Sequence, residues 1–474
     1  MKLALLLGYV VVMIGIGYYS MRRTKTVGDF FLANRALGPW VSAFAYGTTY
    51  FSAVLFIGYA GRIGWGFGLS SLWIVVGNAL VGSLLAWLIL ARRTRVITEK
   101  LGAMTMPEFL ESRYQSRFLR VFSAVVIFIF LVPYSASVYM GLSYLFDVVM
   151  GIPYVYALLL MAVLTGAYLI MGGYLAVSVN SLVQGVIMFF GALLLILFIL
   201  NRPESGGLYQ AIERLKMIDP KLVAPVGAPG FWSLFGLVMV TSLGAWGLPQ
   251  MVQKFYSIKS ERVITAATVI ATVFALVCTF SAYFSGALTH LFFPTLPEFA
   301  GKPNPELLMP QLMSQFMPLS FAVVLLLLVF SASMSTLSSL VLVSSSAIAI
   351  DLFSLRDKKI SLLLMRLLCG VFILCSLLIA FYRISFIVNL MSISWGTTAG
   401  VFLAPYLYGL YWERANLPAA IVSMICGISI GLGASWYYGF QSQVIPLVGS
   451  LAILIPLGVF PLVVLFTSDK KRGA

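Results

Sequence analysis

The chain reads as a series of long apolar runs separated by short polar segments. Thirteen runs stand out, at about 3–20, 38–61, 68–91, 119–146, 153–173, 178–200, 231–252, 265–290, 318–350, 361–381, 385–411, 416–438 and 443–467. Each is about the length that carries a helix across a bilayer. None alternates apolar and polar positions, which excludes the strands of a membrane barrel. The expected fold is therefore all-α: a polytopic membrane protein of about 13 transmembrane helices. Thirteen is odd, so the two termini fall on opposite sides.

Composition supports lipid as the solvent. Of 474 residues 61% are hydrophobic and 9% charged, with mean hydropathy +1.02, whereas a soluble chain carries about a quarter charged residues. The net charge of +15 would suggest nucleic acid on a soluble protein. Here its distribution matters more. With the N-terminus outside, inside segments hold 22 of the 30 Lys and Arg residues, including Arg22, Arg23, Arg92, Arg93, Arg95, Lys254, Lys259 and Lys470. That bias follows the positive-inside rule and predicts a multi-pass cell-membrane protein with a cytoplasmic C-terminus. No compact basic domain is present for DNA. Cys278, Cys369, Cys375 and Cys426 all lie inside apolar runs, where they read as small buried hydrophobes rather than disulfides or metal ligands. His290, the single histidine, reads as interfacial. The first run has no A-x-A-like cleavage site and is followed by Arg22, Arg23 and Lys25, so it reads as a retained span rather than a signal peptide.

The connecting segments carry further expectations. Residues 201–230 include a short amphipathic stretch, Tyr209 to Lys216, and 291–317 are rich in proline, suiting a cap over an external vestibule. Met106 to Arg120 mixes charge with Phe109, Leu110, Phe118 and Leu119, the pattern of a helix lying on a membrane face.

The membrane interior is short of charge. Every Asp and Glu falls in a loop or at a span end, and no Lys or Arg lies near the middle of a span. A proton relay through buried carboxylates is thus disfavoured, but a cation can still be held by neutral oxygens. These concentrate in the ninth run, SASMSTLSS, where the Ala332 carbonyl precedes the Ser335 and Thr336 hydroxyls by one turn on one helix face. Serines also pack helices closely or bond back to their own backbone, so the cluster alone leaves both readings open. In the second run Gly47, Thr48, Thr49 and Ser52 interrupt the apolar pattern, and in the seventh Gly244, Gly247 and Pro249 would break a helix. These two runs are five apart. An odd separation gives opposite orientations, and breaks at matching positions of inverted repeats point to a midplane site.

At these residues the chain resembles the sodium:solute symporter family, whose members carry proline, pantothenate, sugars and similar solutes. The likeness runs from about residue 5 to 415: Asp29 to Pro39 (DFFLANRALGP), Arg113 to Arg117 (RYQSR), Gly172 to Ser178 (GGYLAVS) followed by Gln184, and Ser331 to Ser339 (SASMSTLSS). The last is the most specific. The resemblance implies a leucine-transporter-type core of two inverted five-helix repeats. It also implies sodium ligands from the carbonyls of Thr48, Phe51 and Ala332 and the hydroxyls of Ser335 and Thr336. The sequence departs from the family at Tyr50 and Ser181, where other members carry aspartate, and at Ala245, where proline carriers have tyrosine.

These features predict a sodium-coupled symporter importing a small polar solute, an amino acid or carboxylate-bearing nutrient, by alternating access. The candidate solute residues are Thr49, Ser52, Tyr134, Ser137, Tyr139, Trp246 and Trp395. The expected organisation is an extra span and loop (1–36), a first repeat (37–200), an external loop (201–230), a second repeat (231–411) and two accessory spans with a short tail (412–474). The expected functional unit is a monomer with sodium as coupling ion and no other cofactor. Proton-coupled or uncoupled transport, or solute sensing without translocation, are the alternatives. An enzyme is disfavoured because no span offers paired acids, a metal cluster or a nucleophile with its base.

Overall fold

The computed structural model describes residues 2–23, 32, 35–299, 301–353 and 360–468. The basic residues predicted at 25, 356, 358–359 and 470–472, and residues 29–31, 33 and 34 of the 29–39 motif, lie outside these. The helices, in chain order, are α1 (Lys2–Arg23), α2 (Pro39–Tyr50), α3 (Val54–Gly64), α4 (Gly77–Leu85), α5 (Met106–Tyr114), α6 (Arg117–Leu145), α7 (Tyr154–Leu200), α8 (Phe231–Ser242), α9 (Pro249–Tyr256), α10 (Glu261–Leu288), α11 (Leu319–Ser346), α12 (Ile360–Tyr382), α13 (Ile387–Tyr411), α14 (Leu417–Ile428) and α15 (Ile445–Ser468). Four free cysteines and one two-residue hairpin, Glu298–Phe299 with Lys302–Pro303, complete the picture.

Counted as uninterrupted apolar helices, the expected thirteen spans are grouped into fewer pieces. Among the described residues nine are long and apolar enough to cross a membrane, or ten if the bent pair Phe231–Gly247 and Pro249–Tyr256 counts as one. The differences have physical reasons. The second predicted span is interrupted after Tyr50, and helix then resumes and continues as one apolar stretch from Val54 to Lys100. That stretch folds back at Gly68, whose φ of +57° suits glycine and where a Cβ would lie 2.3 Å from the Leu222 carbonyl. The fifth and sixth predicted spans are recorded as one helical run, α7, of 47 residues. Its contacts nonetheless double back. Ser181 meets Ser335 and Phe198 meets Phe321. A straight helix in that register would bring Thr165 near Asp351, but Thr165 contacts Met334. The run therefore reverses between Thr165 and Ser181.

The helices alternate between two faces. One is basic: Arg35 donates to the Tyr256 and Ala103 carbonyls at 2.9 Å each, and Arg95 to the Ile258 carbonyl at 2.9 Å. These bonds, with Leu37 N–H to the Ser257 carbonyl at 3.2 Å, pin the start of α2 to the end of α9. A second anchor on the same face is Arg120, which reaches Asp351 at 3.2 Å, Glu108 at 3.3 Å and Glu111 at 2.8 Å. It ties α5 and α6 to the end of α11. α5 was expected on the membrane surface. Instead Phe109 and Leu110 are fully buried, Phe109 against Tyr406, and Arg113 binds the Gly409 and Trp412 carbonyls at the end of α13. Its amphipathic pattern is spent on protein rather than lipid.

On the opposite face the proline-rich segment folds onto α3, with the Pro305 carbonyl 2.4 Å from where a Cβ on Gly61 would sit. The Glu306 carboxylate is buried and accepts the Ile387 N–H at 2.5 Å, capping the start of α13. Burial pushes this carboxyl up to about 7, against the pull of that N–H and of Arg62. His290, expected at the interface, is half-buried and stacks on Trp65 at 3.7 Å. The stretch Leu208–Ile218 is helical as expected and buries Ala211 and Leu215.

Small residues allow the closest helix approaches, the means by which apolar helices gain packing in lipid. Gly286 of α10 leaves no room for a Cβ, which would fall 1.9 Å from the Ala60 carbonyl, whereas Gly66 has nothing within 4 Å. Gly286→Ala is therefore expected to cost about 1–3 kcal/mol and to lower the thermal midpoint in detergent, with Gly66→Ala as the unaffected control. Equal midpoints would contradict this packing.

Candidate functional site

The site begins where α2 stops. The helix ends at Tyr50, and Phe51 turns to an extended conformation, φ −116° and ψ 130°. Ending a helix orphans its last carbonyls, and only that of Gly47 is met by the Phe51 N–H. The break thus directs the negative end of a helix dipole into the protein interior. α11 lies against it. The Thr336 hydroxyl sits 3.1 Å from the Thr48 carbonyl, 3.4 Å from that of Thr49 and 3.1 Å from that of Ala332. One hydroxyl hydrogen faces the Thr48 and Thr49 carbonyls at the break as well as the Ala332 carbonyl, which the α11 backbone already bonds, so at the break acceptors outnumber donors. The Ser335 hydroxyl joins those of Thr48 at 2.7 Å and Ser181 at 3.0 Å. Of the implied sodium set, Thr48, Ala332, Ser335 and Thr336 stand together at the break, next to Phe51, and all five are buried.

A small cavity of about 20 Å³ adjoins the break, lined among others by Tyr50, Phe51, Ser52, Asn78, Tyr134 and Trp395. That is room for about one water. Tyr134 and Trp395 meet edge to face at 5.6 Å, and Tyr50 stacks on Trp395 at 5.8 Å. Three of the candidate solute residues, Ser52, Tyr134 and Trp395, are in this lining. The other four are directed elsewhere. Thr49 bonds to the Ala45 carbonyl at 2.7 Å and Ser339 at 3.1 Å. Ser137 bonds back to the Tyr134 carbonyl at 2.6 Å. Trp246 donates to the Val81 carbonyl at 2.9 Å, and Tyr139 is buried away from the lining.

Sequence reasoning passed over Asn78 and the structural part of Tyr50. Tyr50 Oη donates to the Thr241 carbonyl at 2.7 Å and to Asn78 Oδ1 at 3.3 Å, and Ser242 donates to the same Asn78 oxygen at 3.0 Å. This links α2, α4 and α8 beside both helix breaks. An amide inside the apolar GNALVGS stretch was the available signal. Gly82 makes the room, since a Cβ there would meet Tyr50 Oη at 1.9 Å.

The seventh span is bent by 45°. α8 gives way to the tight turn Gly244–Gly247, Leu248 is extended, and Pro249 starts α9. Lys254, placed by sequence in an inside segment, is 1% exposed and donates to Ser339 Oγ at 3.0 Å. All of α9 is buried, because helix packing encloses a segment whose polarity reads as interfacial.

A family model for the sodium:solute symporter family matches residues 30–427. The high-affinity proline transporter PutP of Bacillus subtilis (strain 168) is 32% identical over 431 residues, 88% of each chain. The sodium/pantothenate symporter of Escherichia coli (strain K12) is 30% identical over 443 residues, 89% of this chain and 88% of that one. Among solved structures, a Na+-coupled sialic acid symporter in a substrate-bound outward-open state aligns over 97% of both chains with a TM-score of 0.78 at 20% identity. A nucleobase-cation-symport-1 family transporter aligns with a TM-score of 0.56 at 14% identity, over 92% and 95%. Such distances carry the shared fold, the leucine-transporter type.

Proposed function

The chain belongs to the sodium:solute symporter family, and from that premise we propose that it imports a small polar organic solute together with sodium. The observation that carries this is the acceptor surplus at the α2 break, where three backbone carbonyls crowd one threonine hydroxyl. Thr48, Phe51, Ala332, Ser335 and Thr336 hold the ion. Sodium there bridges α2 to α11 and stabilises whichever conformation brings the two together, shifting the population towards it. The solute enters beside Ser52, Tyr134 and Trp395 once the rings separate, with a carboxylate-bearing solute favoured because relatives carry proline and pantothenate. Residues 37–200 and 231–411 form the two inverted repeats, and the basic face is cytoplasmic, so the C-terminus is too.

The test is uptake into proteoliposomes, with proline and pantothenate as first probes because relatives carry them. An inward sodium gradient should raise the initial rate several-fold over potassium. Uptake indifferent to sodium but driven by a proton gradient would overturn the reading.

A further inference from the structure

A buried lysine lies beside the ion site with no carboxylate paired to it. Lys254 Nζ donates to Ser339 Oγ at 3.0 Å and stands 5.0 Å above the Tyr174 ring. Among the described residues its contacts are these neutral groups, and no ion pair includes it. Ser339 also meets the Thr49 hydroxyl at 3.1 Å. Ser339 follows Ser335 by four residues on α11, so the two hydroxyls lie on one face, a single turn apart. Further along that helix Val343, Ser346 and Asp351 face Pro249 and Gln253 of α9. Lys254 thus stands between the proposed sodium ligands and the basic face, on the line an ion leaving by that face would follow.

We propose that Lys254 is a tethered cation, lodged one helical turn from the sodium ligands, that weakens sodium binding by direct charge repulsion and so promotes release towards the basic face. The proposal rests on the sodium reading of the Ser335–Thr336 site. Its logic is that a transported ion must be held firmly enough to enter and loosely enough to leave. Neutral oxygens at a helix end supply only attraction. The lysine supplies the opposing term, and the hydroxyl and aromatic ring hold it in place. With the amine protonated, two unit charges about 6–8 Å apart, at an effective dielectric of about 20, repel enough to weaken binding by up to roughly thirty- to a hundredfold, and the neutral amine exerts none of this. Intervening hydroxyl dipoles reduce this.

The experiment uses the full chain purified in detergent. Its thermal midpoint is followed as sodium chloride replaces potassium chloride at constant ionic strength, giving the sodium concentration for half-maximal stabilisation. Lys254→Met and Lys254→Gln are expected to need at least about tenfold less sodium than wild type, and Lys254→Arg to stay near wild type. A cooperative transition in potassium shows which variants are folded, and if the methionine variant is not, the glutamine variant decides. Neutral variants within about twofold of wild type overturn the proposal alone, as does an arginine variant shifted as far as the neutral ones. Wild type without any sodium response overturns the sodium reading and the proposal with it.

Discussion

Replacing Ser335 and Thr336 together by alanine is expected to abolish sodium-dependent uptake and the sodium-induced rise in thermal midpoint. Each hydroxyl offers a neutral oxygen to a full charge. Such contacts contribute about 1.5–3 kcal/mol each, so losing two weakens sodium at least about a hundredfold. Thr336 contributes a second effect, because its hydroxyl spans the carbonyls of α2 and α11. Thr336→Ser keeps that oxygen and should retain most of the sodium response. The readout is the sodium concentration that half-activates uptake, alongside the midpoint in potassium, which reports folding. A double variant with an unaltered sodium requirement would show that these hydroxyls serve packing only.

The second large effect lies at the basic face, where Arg120 meets Asp351. Arg120→Met is expected to destabilise the fold by about 3–5 kcal/mol, seen as a marked fall in thermal midpoint. The arginine reaches three carboxylates and the Ile350 carbonyl. The Asp351 side chain is wholly buried and that of Glu108 5% exposed. Removing the cation leaves two negative charges with little water. Arg120→Lys restores the charge without the planar fork, so it should recover part of the loss. A methionine variant melting with wild type would mean the cluster is balanced by other groups.

The break after Tyr50 and the kink before Pro249 were legible because glycine, proline and clustered hydroxyls contradict an otherwise apolar pattern. The Ser335–Thr336 face was legible because helical spacing fixes it without knowing any partner. What meets that face was not. Thr48 to Thr336 is 288 residues apart in the chain, and local pattern carries no information on such pairs; the resemblance supplied it. The burial of Lys254 was not legible either. Gln250, Gln253 and Lys254 make α9 look interfacial, yet tertiary packing encloses all eight of its residues. α5 shows the same failure, since an amphipathic helix looks alike whether its apolar side meets lipid or protein. Where helix continues through a turn, as across Val54–Lys100, consecutive expected spans join in one helical stretch. The aromatic candidates divided because burial and polarity select tyrosines and tryptophans without saying which way they point.

The cavity beside Tyr134, Trp395 and Tyr50 has room for about one water, too little for an amino acid. At the proposed solute site selectivity would therefore begin as a mechanical question: a guest must part the Tyr50–Trp395 stack and the Tyr134 edge contact before any polar group can greet it. Rigid, compact nutrients lose least in doing so, and bulky mimics that wedge the rings open without letting them close again should arrest the cycle, which makes this trio the place to aim an inhibitor.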